Sequence, residues 1–185
     1  MTNGANLTTS RYLVVDLDHT LINTDLLYES SIGVLKKNPL SIFAFPYWFF
    51  KGKGYLKEQL VERFNINVSK LDYNLEVINY IKKRKKQGAK VILATASHKY
   101  YAFEVAKHVK LFDDVMASNV SFNLSSHNKA KKLVERFGKC GFDYMGDHKR
   151  DIPVWEVSNL SILVNASNKI IMLTKHLNVL LLSKK

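Results

Sequence analysis

Apolar residues arrive in short runs along this chain, and each run ends in side chains that can do chemistry. Tyr12-Leu13-Val14-Val15 leads into Asp16, Asp18 and Thr20; Val91-Ile92-Leu93-Ala94 leads into Thr95, Ala96 and Ser97. Phe142-Asp143-Tyr144-Met145 leads into Gly146 and Asp147, and Asp151 follows. Runs of this length, rich in Val, Leu and Ile, predict strands covered on both faces. Helical spacing fills residues 25–37, 55–64, 73–86, 99–108, 128–137 and 152–157, with further short strands at 114–117 and 160–165. Such alternation predicts an α/β fold with a Rossmann-like parallel sheet. Residues 169–185 read as a C-terminal helix or tail. Their apolar end, Val179-Leu180-Leu181-Leu182, either packs on the domain, mediates dimerisation or continues into a longer chain.

The pattern divides the chain. Residues 1–10 are polar and read as a flexible arm, residues 11–24 and 88–168 as the sheet-bearing core, and residues 25–87 as a helical cap inserted between the first two strands. The cap holds a dense aromatic stretch: Phe43, Phe45, Tyr47, Trp48, Phe49 and Phe50. Packing against the core is the simpler expectation. The alternative is an interfacial patch, flanked by Lys36, Lys37, Lys51 and Lys53, that makes a peripheral contact with a membrane or a hydrophobic partner. The uncharged stretch, residues 38–50, is too short to span a bilayer.

At 185 residues and 46% apolar content one globular domain is expected. The single cysteine, Cys140, excludes an internal disulfide and a cysteine metal site and reads as a packing residue. No basic-then-apolar leader is visible at the start, so a cytoplasmic location is expected. The net charge of +12 raises the question of an acidic partner. Its densest run, residues 82–86, closes a helix before Gly88, where cations suit the helix dipole, and reads as a solvated helix end. No zinc-finger spacing or RNA-binding aromatic motif accompanies it, so no nucleic-acid partner is expected. A positive exterior also draws in phosphorylated substrates.

In open α/β sheets ligands sit outside the carboxyl ends of the strands. Here those ends deliver Asp16, Asp18, Thr95 and Asp147 to one edge, and Lys129 opens the helical stretch between the second and third runs. Alternation along an extended chain returns Asp16 and Asp18 to the same side. Buried carboxylates are costly unless a metal or hydrogen bonds compensate them. Acids, a hydroxyl and a lysine together outline a site for magnesium and phosphate. Local readings stay open: either acid of the first pair serves as a cap for the next segment, and Lys129, near Lys131 and Lys132, is a solvated helix lysine.

The segments Asp16-Leu17-Asp18-His19-Thr20, Thr95, Lys129 and Gly146-Asp147-His148-Lys149-Arg150-Asp151 together resemble the four motifs of the haloacid dehalogenase-like (HAD) superfamily, over residues 11–165. Residues 24–30, 94–97 and 151–155 resemble more closely the HAD domain found fused ahead of UbiA-type prenyltransferases. The resemblance implies a magnesium-dependent phosphatase in which Asp16 forms an aspartyl-phosphate. Asp18 handles the proton, and Thr95 and Lys129 hold the phosphoryl. The metal would rest on Asp16, Asp147 and the Asp18 carbonyl, with Asp151 behind them holding a water or Lys129. An acid two positions after the nucleophile favours phosphoryl transfer over dehalogenation. Thr20, Ala96 and Ser97 fall at the rim of such a site as substrate contacts. Asp25 matches the position where phosphoserine phosphatases place a substrate-reading acid, and equally suits capping the helix that follows. His19 stands where glycine is frequent, a departure expected to perturb the loop rather than the chemistry. The implied substrate is a small phosphorylated molecule, a prenyl or sugar phosphate. Two other readings remain at this point: a regulatory or membrane-binding module of the same fold tied to prenyl-lipid metabolism, and a phosphomutase. Oligomeric state is not legible.

Overall fold

The computed structural model describes residues 9–182. Strands β1 (Tyr12–Val15), β2 (Lys90–His98), β3 (Asp114–Ser118), β4 (Asp143–Gly146), β5 (Ser161–Val164) and β6 (Val179–Leu182) form one sheet. Its order is β3-β2-β1-β4-β5-β6, and every neighbouring pair is parallel. Helices α1 (Leu26–Lys37), α2 (Phe45–Phe50), α3 (Lys53–Arg63), α4 (Leu75–Lys86), α5 (Lys99–Val109), α6 (Ser126–Phe137), α7 (Ile152–Trp155) and α8 (Asn168–Thr174) complete the described chain. This is the Rossmann-like α/β architecture that the strand–helix alternation predicts.

Both sheet faces are covered, as the unbroken apolar runs require. Leu13, Val15, Val91 and Leu93 point to one side, against Val77 and Ile81 of α4 and Ala102 and Val105 of α5. Val14, Ile92 and Tyr144 point to the other, against Leu133 of α6 and Trp155 of α7. The apolar run at 179–182 is an edge strand paired with β5, not a tail, because its alternation lets Leu180 and Leu182 complete the first cluster. The expected flexible arm falls largely outside the described residues. Ser10 lies within them and is anchored: its N–H donates to the Asp143 carboxylate at 2.9 Å and its hydroxyl to the Gly141 carbonyl at 2.6 Å.

Residues 75–86, expected in the cap, pack on the sheet instead. The α4 period that buries Val77 and Ile81 also turns Arg84 inward. The basic run is therefore not simply a solvated helix end. Arg84, 3% exposed, donates to Asp143, 0% exposed, at 2.8 Å, and Lys85 pairs with Asp113 at 3.0 Å. The Asp143 carboxylate also accepts from the Asn159 side chain at 2.8 Å.

The cap proper is α1 to α3, with a small core of Val34, Trp48 and Leu60. The aromatic stretch does not pack as a unit. Trp48 is buried, with the Phe45 ring 5.3 Å away, while Phe43, Tyr47, Phe49 and Phe50 are exposed. A helix as short as α2 can turn only one face inward. Among the described residues no helix is long and apolar enough to cross a membrane.

Removing one partner of a buried ion pair leaves an uncompensated charge. Asp143→Ala should therefore lower unfolding stability by about 3–5 kcal/mol in urea denaturation. Lys82→Ala, on the same helix but exposed, should leave the midpoint unchanged. A midpoint for Asp143→Ala close to that of the unaltered chain would show that the pair is not a structural anchor.

Candidate active site

The sheet order reverses direction between β1 and β4, which makes their carboxyl ends the switch point where ligands bind in open sheets. A cleft of about 230 Å³ lies there, between the sheet edge and the cap. Asp16, Asp18, Asp147, Lys129 and Asp151 line it, with Ala96 and Ser97 from β2 and Asp25, Phe49, Lys53 and Lys57 from the cap side.

Asp16 leaves the end of β1 and its N–H donates to the Met145 carbonyl at 2.9 Å, which fixes the loop to β4. Lys129, on the first turns of α6 and almost fully buried, donates to Asp16 Oδ1 at 2.9 Å. The solvated-lysine reading of Lys129 is thereby excluded. The Lys129 Nζ also donates to the Tyr144 hydroxyl at 2.8 Å, and that hydroxyl donates to Asp151 Oδ1 at 2.8 Å. The other Asp151 oxygen accepts the backbone N–H groups of Asp147 and His148 at 3.3 and 3.1 Å. Gly146 permits this: a Cβ there would lie 2.8 Å from the Asp151 carboxyl carbon.

Asp18 is held on both oxygens, by the Leu26 N–H at 2.9 Å and the Ser97 hydroxyl at 2.6 Å. The first bond places it at the start of α1, so the site and the cap share a helix terminus. Asp25 is the N-cap of that helix, accepting the Tyr28 N–H at 3.0 Å, and it also lines the cleft. The two uses anticipated for it are compatible.

Two expected contacts take other roles. Thr20 is fully buried and does not line the cleft; its hydroxyl donates to Asp147 at 3.3 Å, which orients that acid. Thr95 is also fully buried behind the cleft wall; its oxygen accepts the Ser97 N–H at 2.9 Å within the irregular end of β2, where the pairing with β3 shifts register between Thr95 and His98. His19 adopts φ 56°, in the left-handed region that favours glycine, so the side chain there carries a local conformational cost.

Tyr144 and Lys57 went unrecognised in the sequence. Tyr144 sits inside an apolar strand and carries no motif signal. Lys57, on α3, reaches across the cleft to donate to the Ala96 carbonyl at 2.5 Å. Burial pulls its ammonium below the usual lysine range, while Asp18 and Asp25 act in the opposite direction.

The electrostatics show an excess of negative charge. Burial, with repulsion from Asp151 and Asp18, raises Asp16 from 3.8 to about 7 despite the opposing pull of Lys129. Burial and Asp151 raise Asp147 to about 6, and burial and Asp25 push Asp18 upward. Carboxylate oxygens of Asp16, Asp147 and Asp151 all lie within 4.8 Å of one another. Hard oxygen ligands in this arrangement fit a magnesium-like cation. Because both Asp151 oxygens already accept hydrogen bonds, Asp16 and Asp147 are the better ligands.

A proton binds Asp16 and Asp147 more tightly in the folded chain than in the unfolded one. Their contribution to stability is therefore full below about pH 4 and lost as pH rises through about 6 to 7. In EDTA, the melting temperature of the protein should fall relative to that of Asp16→Asn over this window, by several °C at roughly 2–4 °C per kcal/mol. Magnesium at pH 7.5 should recover the loss in the unaltered protein and have less effect on the variant. A difference between the two that stays flat with pH would contradict the crowded-carboxylate reading.

The family model described as haloacid dehalogenase-like hydrolase matches residues 13–156. An uncharacterized protein of Sinorhizobium fredii, y4nM, is 33% identical over 153 residues, 82% of this chain. The chain spans 29% of that relative's length. Among solved structures, a predicted phosphatase from Clostridium acetobutylicum superposes with a TM-score of 0.69 at 17% identity, covering 95% of each chain. A phospho-aspartyl intermediate analogue of phosphoserine phosphatase gives 0.63 at 13% identity, covering 96% of this chain and 95% of that one. At such identities these structures establish a shared fold.

Proposed function

Because the chain belongs to the haloacid dehalogenase-like hydrolase family, we propose that it is a magnesium-dependent phosphatase acting through an aspartyl-phosphate on a small phosphate monoester. The observation that carries the proposal is the placement of Asp16 and Asp18 in one cleft, with Lys129 on the first and burial pushing the carboxyl of the second upward. The phosphoserine phosphatase analogue supports the covalent intermediate by its likeness in fold.

In this reading Asp16 attacks phosphorus and the bond to the ester oxygen breaks. Asp18, whose carboxyl burial pushes above its ordinary range, acts in its protonated form and gives that proton to the departing oxygen. A water then attacks the aspartyl-phosphate and Asp18 takes its proton, which releases inorganic phosphate and restores Asp16. Lys129 offsets charge on the phosphoryl and keeps Asp16 oriented, while Tyr144 and Asp151 fix the lysine. Ser97 and Ala96 border the phosphoryl from β2, with Thr95 accepting the Ser97 N–H behind them. Asp16, Asp147 and the Asp18 carbonyl would hold magnesium, which would supply positive charge favouring the ionised form of Asp16 and offsetting the negative charge of the phosphate.

The cap selects the leaving group, and Lys53, Lys57 and Asp25 are the polar groups it contributes. The likeness to the domain fused with UbiA-type prenyltransferases, together with Phe49 at the cleft wall, favours a prenyl phosphate over a sugar phosphate. The complete acid set argues against a purely regulatory module.

Asp16→Asn should preserve the fold and lower turnover of an aryl phosphate by several powers of ten, on the order of the largest single-residue effects. Chelation should abolish activity in the unaltered enzyme, and beryllium with fluoride should inhibit it. Near-normal turnover in the variant, or full activity in excess chelator, would overturn the mechanism. Tyr144→Phe keeps the ring and removes the hydroxyl that bridges Lys129 and Asp151. It should lower kcat on the order of tenfold with KM little changed. A purely structural role would instead lower the melting temperature at constant kcat.

A further inference from the structure

The cap carries a face that the chemistry of the cleft does not use. Leu40, Phe43 and Phe50 are 73%, 79% and 87% exposed, and Tyr47 and Phe49 are more than half exposed beside them in sequence. Apolar surface gathered in this way marks an interaction site. The charges within its own segment are of one sign. From Ser30 to Lys57 the chain has no acid, and it carries Lys36, Lys37, Lys51 and Lys53, all exposed. The Lys51 ammonium lies 5.6 Å from the Tyr47 ring centroid, so cation and aromatic belong to one surface.

Aromatic rings that can enter the headgroup boundary, bordered by lysines and free of acids, match the chemistry of an anionic bilayer. The six residues of α2 are too few to span, so the contact is interfacial. Phe49 and Lys53 belong both to this surface and to the cleft wall. We propose that the cap tip, residues 40–53, docks the protein on an anionic membrane surface with the cleft mouth turned toward phosphate esters carried by lipid. The orientation of the mouth rests on the phosphatase reading; the docking does not.

The test is co-sedimentation with vesicles of phosphatidylcholine alone or mixed with phosphatidylglycerol. The unaltered protein should sediment with the mixed vesicles, weakly with phosphatidylcholine, and less as salt rises. Phe43→Ser/Phe50→Ser should reduce the bound fraction at least about tenfold, and Lys36→Glu/Lys51→Glu should do the same on the mixed vesicles. Lys82→Glu/Lys83→Glu on α4 removes equal charge elsewhere and should bind normally. All three variants should hydrolyse a soluble aryl phosphate at the unaltered rate. Asp16→Asn should bind vesicles fully, which separates docking from catalysis. Failure of the unaltered protein to sediment would overturn the proposal. So would full binding by Phe43→Ser/Phe50→Ser, or equal loss in the α4 variant, since either leaves only general positive charge. Concentration-dependent dimerisation abolished by the two serines, without vesicle binding, would assign the face to a second copy and overturn it as well.

Discussion

Negative charge crowded at one sheet edge is the constraint around which this molecule is built. Asp16, Asp18, Asp25, Asp147 and Asp151 border a single cleft, and Lys129 is the cation in direct contact with Asp16. Bringing carboxylates together in a partly dry place costs free energy unless each finds partners. The protein supplies partners from behind: backbone N–H groups for Asp151, the α1 terminus and Ser97 for Asp18, Thr20 for Asp147. On the cleft side, burial first and the neighbouring carboxylates second raise Asp16 and Asp147 to about 7 and 6. In the phosphatase reading proposed above, a cation bound between these acids would relieve that crowding and offer positive charge to a phosphate.

Strand β4 shows the contrast within a few residues. Asp143, at its amino end, has its carboxylate fully engaged by Arg84, Asn159 and the Ser10 N–H. It binds the arm, α4 and the sheet together and has no exposure to a ligand. Asp147, just past the carboxyl end, accepts from the Thr20 hydroxyl at 3.3 Å and faces the cleft. The same residue type is structural at one end and available for chemistry at the other. The difference lies in the number of donors that reach it, and in the switch point that opens the sheet at its carboxyl edge.

The strands and the motif acids were legible because their signals are local: an apolar run followed by polar ends survives in one dimension. The lysine of the site was legible only by its place in an ordered set, since Lys131 and Lys132 look the same in sequence and yet are exposed. Tyr144 was invisible, because a tyrosine in an apolar strand is ordinary until its hydroxyl is seen between Lys129 and Asp151. Arg84 was hidden inside a basic run, although the spacing from Val77 and Ile81 could have separated it from its neighbours. The boundary of the cap and the exposure of its aromatics depend on tertiary packing, and there the simplest expectation, that apolar means buried, did not hold.

Cap and core meet at contacts that also define what the cleft can take. Asp18 accepts the first N–H of α1, while Lys57 and Glu58 of α3 reach the Ala96 carbonyl and His98 at 2.5 and 2.8 Å. Gly54 lets the same helix approach the Val120 carbonyl so closely that a Cβ would lie 2.3 Å from it. With the cap seated in this way the open cleft has a volume of about 230 Å³, below the several hundred Å³ common for sites that engulf a ligand. In the phosphatase reading proposed above, a substrate with a long apolar chain would keep its phosphate against Asp16 and pass its tail out beside Phe49 and Lys53. That exit leads toward the exposed aromatics of the cap. The small cleft and the apolar face therefore fit a division of labour in which the pocket reads the phosphate and a surface outside it accommodates the rest.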